Sequence, residues 1–312
     1  MPATLVQLFL GVFAVLFAAS LTTLSLRIRT AGAPSQTLAN LEDRVASWWI
    51  MIIVLGLAFL LGRTATIVFF ALCSFMALRE FLTLSDTRQA DHWTLVAIFL
   101  VALPLQYGLI GAGAYGIYAI FIPVYAFLLA PVLSAFRGDT TRFFERIAKV
   151  QWALMICVFC LSHVPALLNL TIPGYADREI MLIVFLLLVV QSSDVLQYVW
   201  GKLFGRQPVA PALSPSKTWE GLIGGVLSAS FVGMALFWIT PFTPLQAGAI
   251  SLVITIMGFV GGLVMSAIKR DCGVKDWGHS IRGHGGILDR LDSVVFAAPI
   301  FFHVTRFFFS TT

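Results

Sequence analysis

Apolar runs of roughly twenty residues, separated by short polar stretches, recur along the whole chain. Ten of them are legible, at residues 4–26, 45–62, 65–84, 93–110, 114–136, 150–170, 180–200, 221–239, 245–268 and 291–309. A helix needs about 20 mostly apolar residues to cross the hydrocarbon core, because every backbone polar group must be paired internally there. Gly111–Gly113 is so short a link that the fourth and fifth runs read as a tight hairpin. No Lys or Arg precedes the first run, so it reads as a retained helix rather than a cleaved signal peptide. The expected fold is all-α and polytopic, with about ten transmembrane helices. Residues 1–180 make an N-terminal region of six helices. Residues 181–312 make a C-terminal catalytic region with motif loops 201–220 and 269–290.

Composition agrees. Of the 312 residues 59% are hydrophobic and only 11% charged, with a mean hydropathy of +0.93. A soluble domain carries about 25% charged residues. A secreted module, a cytosolic enzyme and a disordered regulator are therefore excluded. The four cysteines, Cys73, Cys157, Cys160 and Cys272, form no disulfide framework, and Cys157-x-x-Cys160 inside an apolar run reads as packing.

Basic residues set the orientation. Loops after the first, third, fifth, seventh and ninth runs hold sixteen of the twenty Lys and Arg. Loops after the second and sixth hold one each, Arg63 and Arg178, while Arg79 and Arg306 sit near the ends of runs where they can snorkel. Basic loops stay in the cytoplasm, so both termini are expected outside and the five odd loops inside. This accounts for the net charge of +5 without a nucleic-acid partner. Arg27, Arg29, Arg44, Arg137, Arg142, Arg146 and Lys149 read as topology signals alone.

Carboxylates contribute little to orientation and need another reason. Asp194, Glu220, Asp271, Asp276, Asp289 and Asp292 all fall at the cytoplasmic end of the seventh run or in the two large odd loops. A one-sided cluster suits chemistry on a cytosolic substrate, whereas a transporter more often buries ionisable groups at the midplane. Apart from Glu80, Asp194 is the one carboxylate well inside a strongly apolar run, and Gln197 and Tyr198 share its helical face. The stretch Gly201-Lys202-x-x-Gly205-Arg206, followed by Ser214-Pro-Ser216-Lys217-Thr218-Trp-Glu220-Gly221, offers donors and positive charge just before a helix N-terminus. Ser214, Lys217 and Thr218 are its phosphate-binding candidates, without Walker spacing. The segment 266–292 carries Lys269, Arg270, Lys275, Asp276, His284, Gly285, Gly286, Asp289, Arg290 and Asp292. Its hard carboxylate oxygens suit Mg²⁺, and the interleaved cations would welcome a metal–polyphosphate complex. His284 reads equally as a turn residue or a phosphate donor.

The pattern Ser-x-x-Lys-Arg-x4-Lys-Asp…His-Gly-Gly-x-x-Asp-Arg-x-Asp over residues 266–292 resembles the signature of the phosphatidate cytidylyltransferases. Ser214–Gly221 is similar to a second motif of that family, and Ser193-Asp194 resembles the start of a third. The likeness covers about the last 120 residues. Arg282 stands where family members usually have Pro or Gly, and Ser216 where a second Lys is common.

The resemblance implies that CTP and phosphatidate yield CDP-diacylglycerol and pyrophosphate at a bacterial inner membrane, with the site facing the cytoplasm. It implies Mg²⁺ on Asp194, Asp276, Asp289 and Asp292, with a second metal ion left open. Lys217, Lys269, Arg270, Lys275, His284 and Arg290 would neutralise phosphates, while Ser214, Thr218, Gly285 and Gly286 would line the nucleotide. The expected partners are CTP, phosphatidate and the lipid bilayer, with a homodimer left open. A CTP-dependent lipid or polyprenol kinase and a transporter or scaffold are the alternative readings.

The charge pattern makes a direct prediction. Reporter fusions should place both termini outside the cytoplasm, and tags beside Lys217 and Lys275 inside. A cytoplasmic C-terminus would mean that one run does not span.

Overall fold

The computed structural model describes residues 3–29, 36–85, 87–281, 283 and 285–311. Arg282 and His284 lie outside them. The described residues form ten helical rods. Helices α1 (Ala3–Arg29), α2 (Gln36–Leu60) and α3 (Arg63–Thr83) come first. Helices α4 (Gln89–Gly111), α5 (Tyr115–Ala135) and α6 (Phe143–Asn169) follow. Then come α7 (Ile180–Phe204), α8 (Trp219–Ala235), α9 (Pro244–Asp271) and α10 (Leu288–Phe309). Among the described residues the only strands are β1 (Pro208–Ala210) and β2 (Ser214–Thr218), an antiparallel hairpin before α8 that the apolar pattern did not signal.

The all-α polytopic expectation holds, with one adjustment to the count. Nine described helices are long and apolar enough to cross a membrane; α8, at 17 residues, is shorter. At about 1.5 Å per residue it extends about 25 Å, against about 30 Å of hydrocarbon. It nevertheless runs antiparallel to α7, because Gly221 approaches Gln197 and Gly201 at one end while Gly233 approaches Val189 at the other. Most rods outrun the apolar segments by one or two turns, since helical hydrogen bonding continues into the polar flanks.

Local signals account for several boundaries. Thr243 and Gln246 cap α9 reciprocally, with Gln246 N donating to Thr243 Oγ1 (3.4 Å) and Thr243 N to Gln246 Oε1 (2.9 Å), and Pro244 occupies the first turn. Helices α4, α5 and α6 each contain a stretch of wide π-type turns, at Ile98–Ala102, Phe121–Ala126 and Leu154–Cys160. Cys157 is buried in the last of these, as a packing residue.

A single apolar core runs through both halves of the chain. Leu78 and Phe81 of α3, Leu154 and Leu161 of α6, Phe185 and Val189 of α7, and Val294 and Phe301 of α10 all belong to it. Helix α1 lies outside, with Leu10, Val15 and Phe17 exposed, and is held to α2 by a stacked Phe13–Trp49 pair.

The connections sort into two ends, matching the odd–even division of basic residues. At one end Gly283 abuts Asp43 and Arg44, Glu80 receives Ser280, Arg88 pairs with Asp139 (3.3 Å), and Lys217 lies beside Gly262. At the opposite end Arg63 donates to Gly111 O and Asn169 Oδ1, Arg178 to Trp238 O, and Thr311 N to Thr171 O. Arg146 needs a correction. It is buried and pairs with Asp91 at 3.1 Å and Asp139 at 3.2 Å, so it joins α6 to the first turn of α4 and to the link between α5 and α6, and is no mere topology signal.

Glycines let α7 and α8 touch. A Cβ at Gly225 would sit 2.6 Å from the backbone N and Cα of Gln197. Neither atom can swing aside. Gly225→Ala should therefore destabilise the detergent-solubilised protein by about 1–3 kcal/mol, read as a lowered unfolding midpoint. An unchanged midpoint would mean that the two helices separate freely.

Candidate active site

The polar ends of α7, α9 and α10 meet the β-hairpin at the end of the bundle where the odd connections gather. The hairpin is held at its base by Thr218. Its Oγ1 caps α8 by accepting Gly221 N at 3.2 Å, and the same side chain lies against Gly201 and Gly205 of the α7 end. Glu220 accepts Arg206 N (3.0 Å) and Gln207 N (3.3 Å), which ties the loop back to the start of α8.

These contacts aim Lys217 inward. Its ammonium stands 5.1 Å from the Phe259 ring centre, and a Cβ at Gly262 would lie 2.7 Å from Nζ. Glycine at 262 makes room for the cation. Burial pushes the Lys217 pKa down, and the negative charges of Asp292 and Asp194 act the other way. No carboxylate comes within ion-pair distance of Lys217 among the described residues.

Helix α10 supplies two acids with different surroundings. Asp289 is almost fully buried: Oδ1 accepts Lys269 Nζ at 2.8 Å, and Oδ2 accepts Trp277 N (2.8 Å) and Gly286 N (2.9 Å). Both oxygens are occupied by protein donors. Asp292, one turn on, is freer. Its Oδ1 accepts the neighbouring Ser293 N at 2.8 Å, and its Oδ2 is 4.0 Å from Lys269 Nζ. Ser293 Oγ donates to Asp194 Oδ1 of α7 at 3.1 Å, so one serine links the two carboxylates. The Arg290 charge reaches both, and its Nε is buried without a protein partner.

Asp194, Lys217, Lys269, Asp289, Arg290 and Asp292 therefore come together. Asp276 is exposed at the edge of this group: a Cβ at Gly285 would lie 3.4 Å from its Cβ and 2.7 Å from Asp289 Oδ2. Lys275 is exposed, and Arg270, also exposed, donates one N–H to Val274 O at 2.7 Å. Ser214 pairs with Ala210 in the hairpin, three residues from Lys217. Thr218 is a helix cap in this arrangement. Gly285 and Gly286 serve the loop's own path: Gly285 has φ +79° and a Cβ there would meet Asp289 Oδ2 at 2.7 Å, while one at Gly286 would lie 2.6 Å from Glu80 Cδ. No group of three or more His, Cys, Asp or Glu is arranged to hold a metal among the described residues. Of the four acids expected to bind Mg²⁺, Asp289 has both oxygens taken by protein donors, while Asp194, Asp276 and Asp292 keep oxygens to offer. Hard carboxylates suit an ion that takes its other ligands from water and phosphate.

Sequence reasoning passed over Glu80. From the end of α3 it accepts Ser280 Oγ (2.6 Å), Ile287 N (3.0 Å) and Leu288 N (2.9 Å), while its neighbour Phe81 stacks on the buried Trp277 at 4.9 Å. The available signal was an acid within an apolar run, the same signal that singled out Asp194.

This cluster of acids and cations at the ends of membrane-length helices belongs to a membrane-embedded nucleotidyl transferase, as the family match shows. The model of the cytidylyltransferase family matches residues 42–308, and the chain belongs to that family. It is 39% identical to Uncharacterized protein YnbB of Escherichia coli (strain K12), over 92% of this chain and 94% of that one. It is 35% identical to the phosphatidate cytidylyltransferase of Staphylococcus haemolyticus (strain JCSC1435), over 49% of this chain and 61% of the relative. The phosphatidate cytidylyltransferase of Rickettsia felis (strain ATCC VR-1525 / URRWXCal2) is also 35% identical, over 44% and 63%.

The two α10 acids should separate experimentally. An amide at 289 can offer an acceptor to Lys269 or to the two backbone donors, not to both. Asp289→Asn should lower stability by roughly 3–5 kcal/mol, the cost of breaking a buried pair, in Mg²⁺-free thermal unfolding. Asp292→Asn, with fewer partners, should lower it far less. Equal losses would remove the distinction.

Proposed function

We propose that the chain transfers a cytidylyl group from CTP to phosphatidate, giving CDP-diacylglycerol and pyrophosphate. The observation that carries this reading is the Asp194–Ser293–Asp292 link with Lys217 and Arg290 beside it, at the membrane-helix ends of a cytidylyltransferase-family chain. The named activity of the Staphylococcus and Rickettsia relatives supports phosphatidate as acceptor.

In this reaction an oxygen of the lipid phosphate attacks the α-phosphorus of CTP. The bond from that phosphorus to the β-bridging oxygen breaks, and pyrophosphate carries away the electron pair. The obstacle is the mutual repulsion of several phosphates, so fixed positive charge matters more than an acid or base. Lys217 and Arg290 bind phosphate oxygens, and the unpartnered Arg290 Nε offers one donor. Lys269 holds Asp289 and so fixes the loop beside the site. Asp194 and Asp292 would hold Mg²⁺, which supplies charge neutralisation when bound. The lipid acceptor and the sixteen-to-two basic asymmetry support a reaction at the cytoplasmic leaflet of a bacterial inner membrane.

The test is purified protein with CTP, Mg²⁺ and phosphatidate. Release of pyrophosphate with a CDP-lipid is expected. Release of CDP would make the chain a kinase, and no turnover with any lipid phosphate would end the enzymatic reading. Lys217→Met should lower kcat by about a hundredfold or more, without unfolding the protein.

A further inference from the structure

Helix α10 starts without a cap of its own. A helix start leaves four N–H groups with no intrahelical acceptor, and the side chain of Ile287, at the capping position, accepts none of them. Glu80 meets two from a distant part of the chain. Its Oε1 accepts Ile287 N and its Oε2 accepts Leu288 N, at 3.0 and 2.9 Å. Ser280 Oγ adds a third donor at 2.6 Å. The side chain is 6% exposed, with Gly278 and Gly286 pressed against its carboxylate. An anion there also interacts favourably with the helix dipole.

The helix so capped carries Arg290, Asp292 and Ser293. Ser293 reaches Asp194 at 3.1 Å only at one height and rotation of α10. A slip of one residue moves a side chain about 1.5 Å along the axis and about 100° around it, which breaks a bond of that length.

We propose that Glu80 is a positioning residue for cytidylyl transfer, capping α10 from α3 and thereby setting Arg290, Asp292 and Ser293 against Asp194 and Lys217. The catalytic part rests on the function proposed above; the cap does not.

The experiment compares wild type, Glu80→Gln and Glu80→Asp as full-length protein in detergent. Amide hydrogen exchange across residues 277–291 is read alongside pyrophosphate release over a Mg²⁺ titration. The Gln amide turns an NH₂ toward backbone donors, so exchange at the start of α10 should quicken by about tenfold, the scale of a lost cap. Turnover should fall by about 10- to 100-fold with a raised Mg²⁺ requirement, as for loss of a residue that orients metal ligands. Glu80→Asp, which keeps the charge one methylene short, should recover part of both. Wild-type exchange in Glu80→Gln overturns the cap. Faster exchange with wild-type turnover and Mg²⁺ requirement overturns the positioning role, as does turnover that falls only in step with the folded fraction. A wild type that releases no pyrophosphate overturns the function and with it the catalytic part, while the exchange measurement still decides the cap.

Discussion

A carboxylate removed from water must be met by donors, and in this chain that requirement shapes the site. Burying an unpaired charge is costly enough that the surrounding backbone arranges itself to supply partners. Glu80 and Asp289 draw the 277–288 segment inward: one takes Ser280 and the start of α10, the other takes Lys269, Trp277 N and Gly286 N. The glycines at 285 and 286 follow from this, since a side chain at either would strike one of the two acids. The loop is glycine-rich because it wraps buried charge.

The same logic separates the acids by task. Asp289 is saturated by protein donors and acts as an anchor. Asp194 and Asp292 are linked through Ser293, whose hydroxyl donates to the first and whose N–H donates to the second, and each keeps lone pairs that no protein donor takes. Carboxylates left with spare lone pairs are the ones that, in the proposed reaction, would hold a divalent ion, while Lys217 and Arg290 would take the phosphate oxygens. Residues that look equivalent in the Asp-Arg-x-Asp motif are therefore unequal in the fold, because one points into the loop and the other toward α7.

Close helix packing brings the pieces within reach. Glycines 221, 224 and 225 allow α8 to lie against α7, which seats the β-hairpin and directs Lys217 to the space left by Gly262 of α9. Membrane helices gain nothing from hiding apolar surface from lipid, so small residues that admit close contact carry much of the association. Arg146, buried with Asp91 and paired also with the half-buried Asp139, joins the ends of other helices on the same side of the bundle.

The sequence by itself determined the fold class, the number and order of the helical runs, and the gathering of odd connections at one end. Length, hydropathy and the placement of Lys and Arg are properties of the chain alone, so they could be read directly. It also marked the acids and cations of the last 120 residues as the chemical part. What only the tertiary structure decided is which of them meet. Glu80 lies more than two hundred residues from the helix it caps, Arg146 reads as a loop charge until Asp91 is folded against it, and the Thr218 hydroxyl oxygen is found capping α8. Hydrogen-bond partners distant in sequence leave no periodic trace, and whether a carboxylate has lone pairs to spare depends on donors that only packing brings to it.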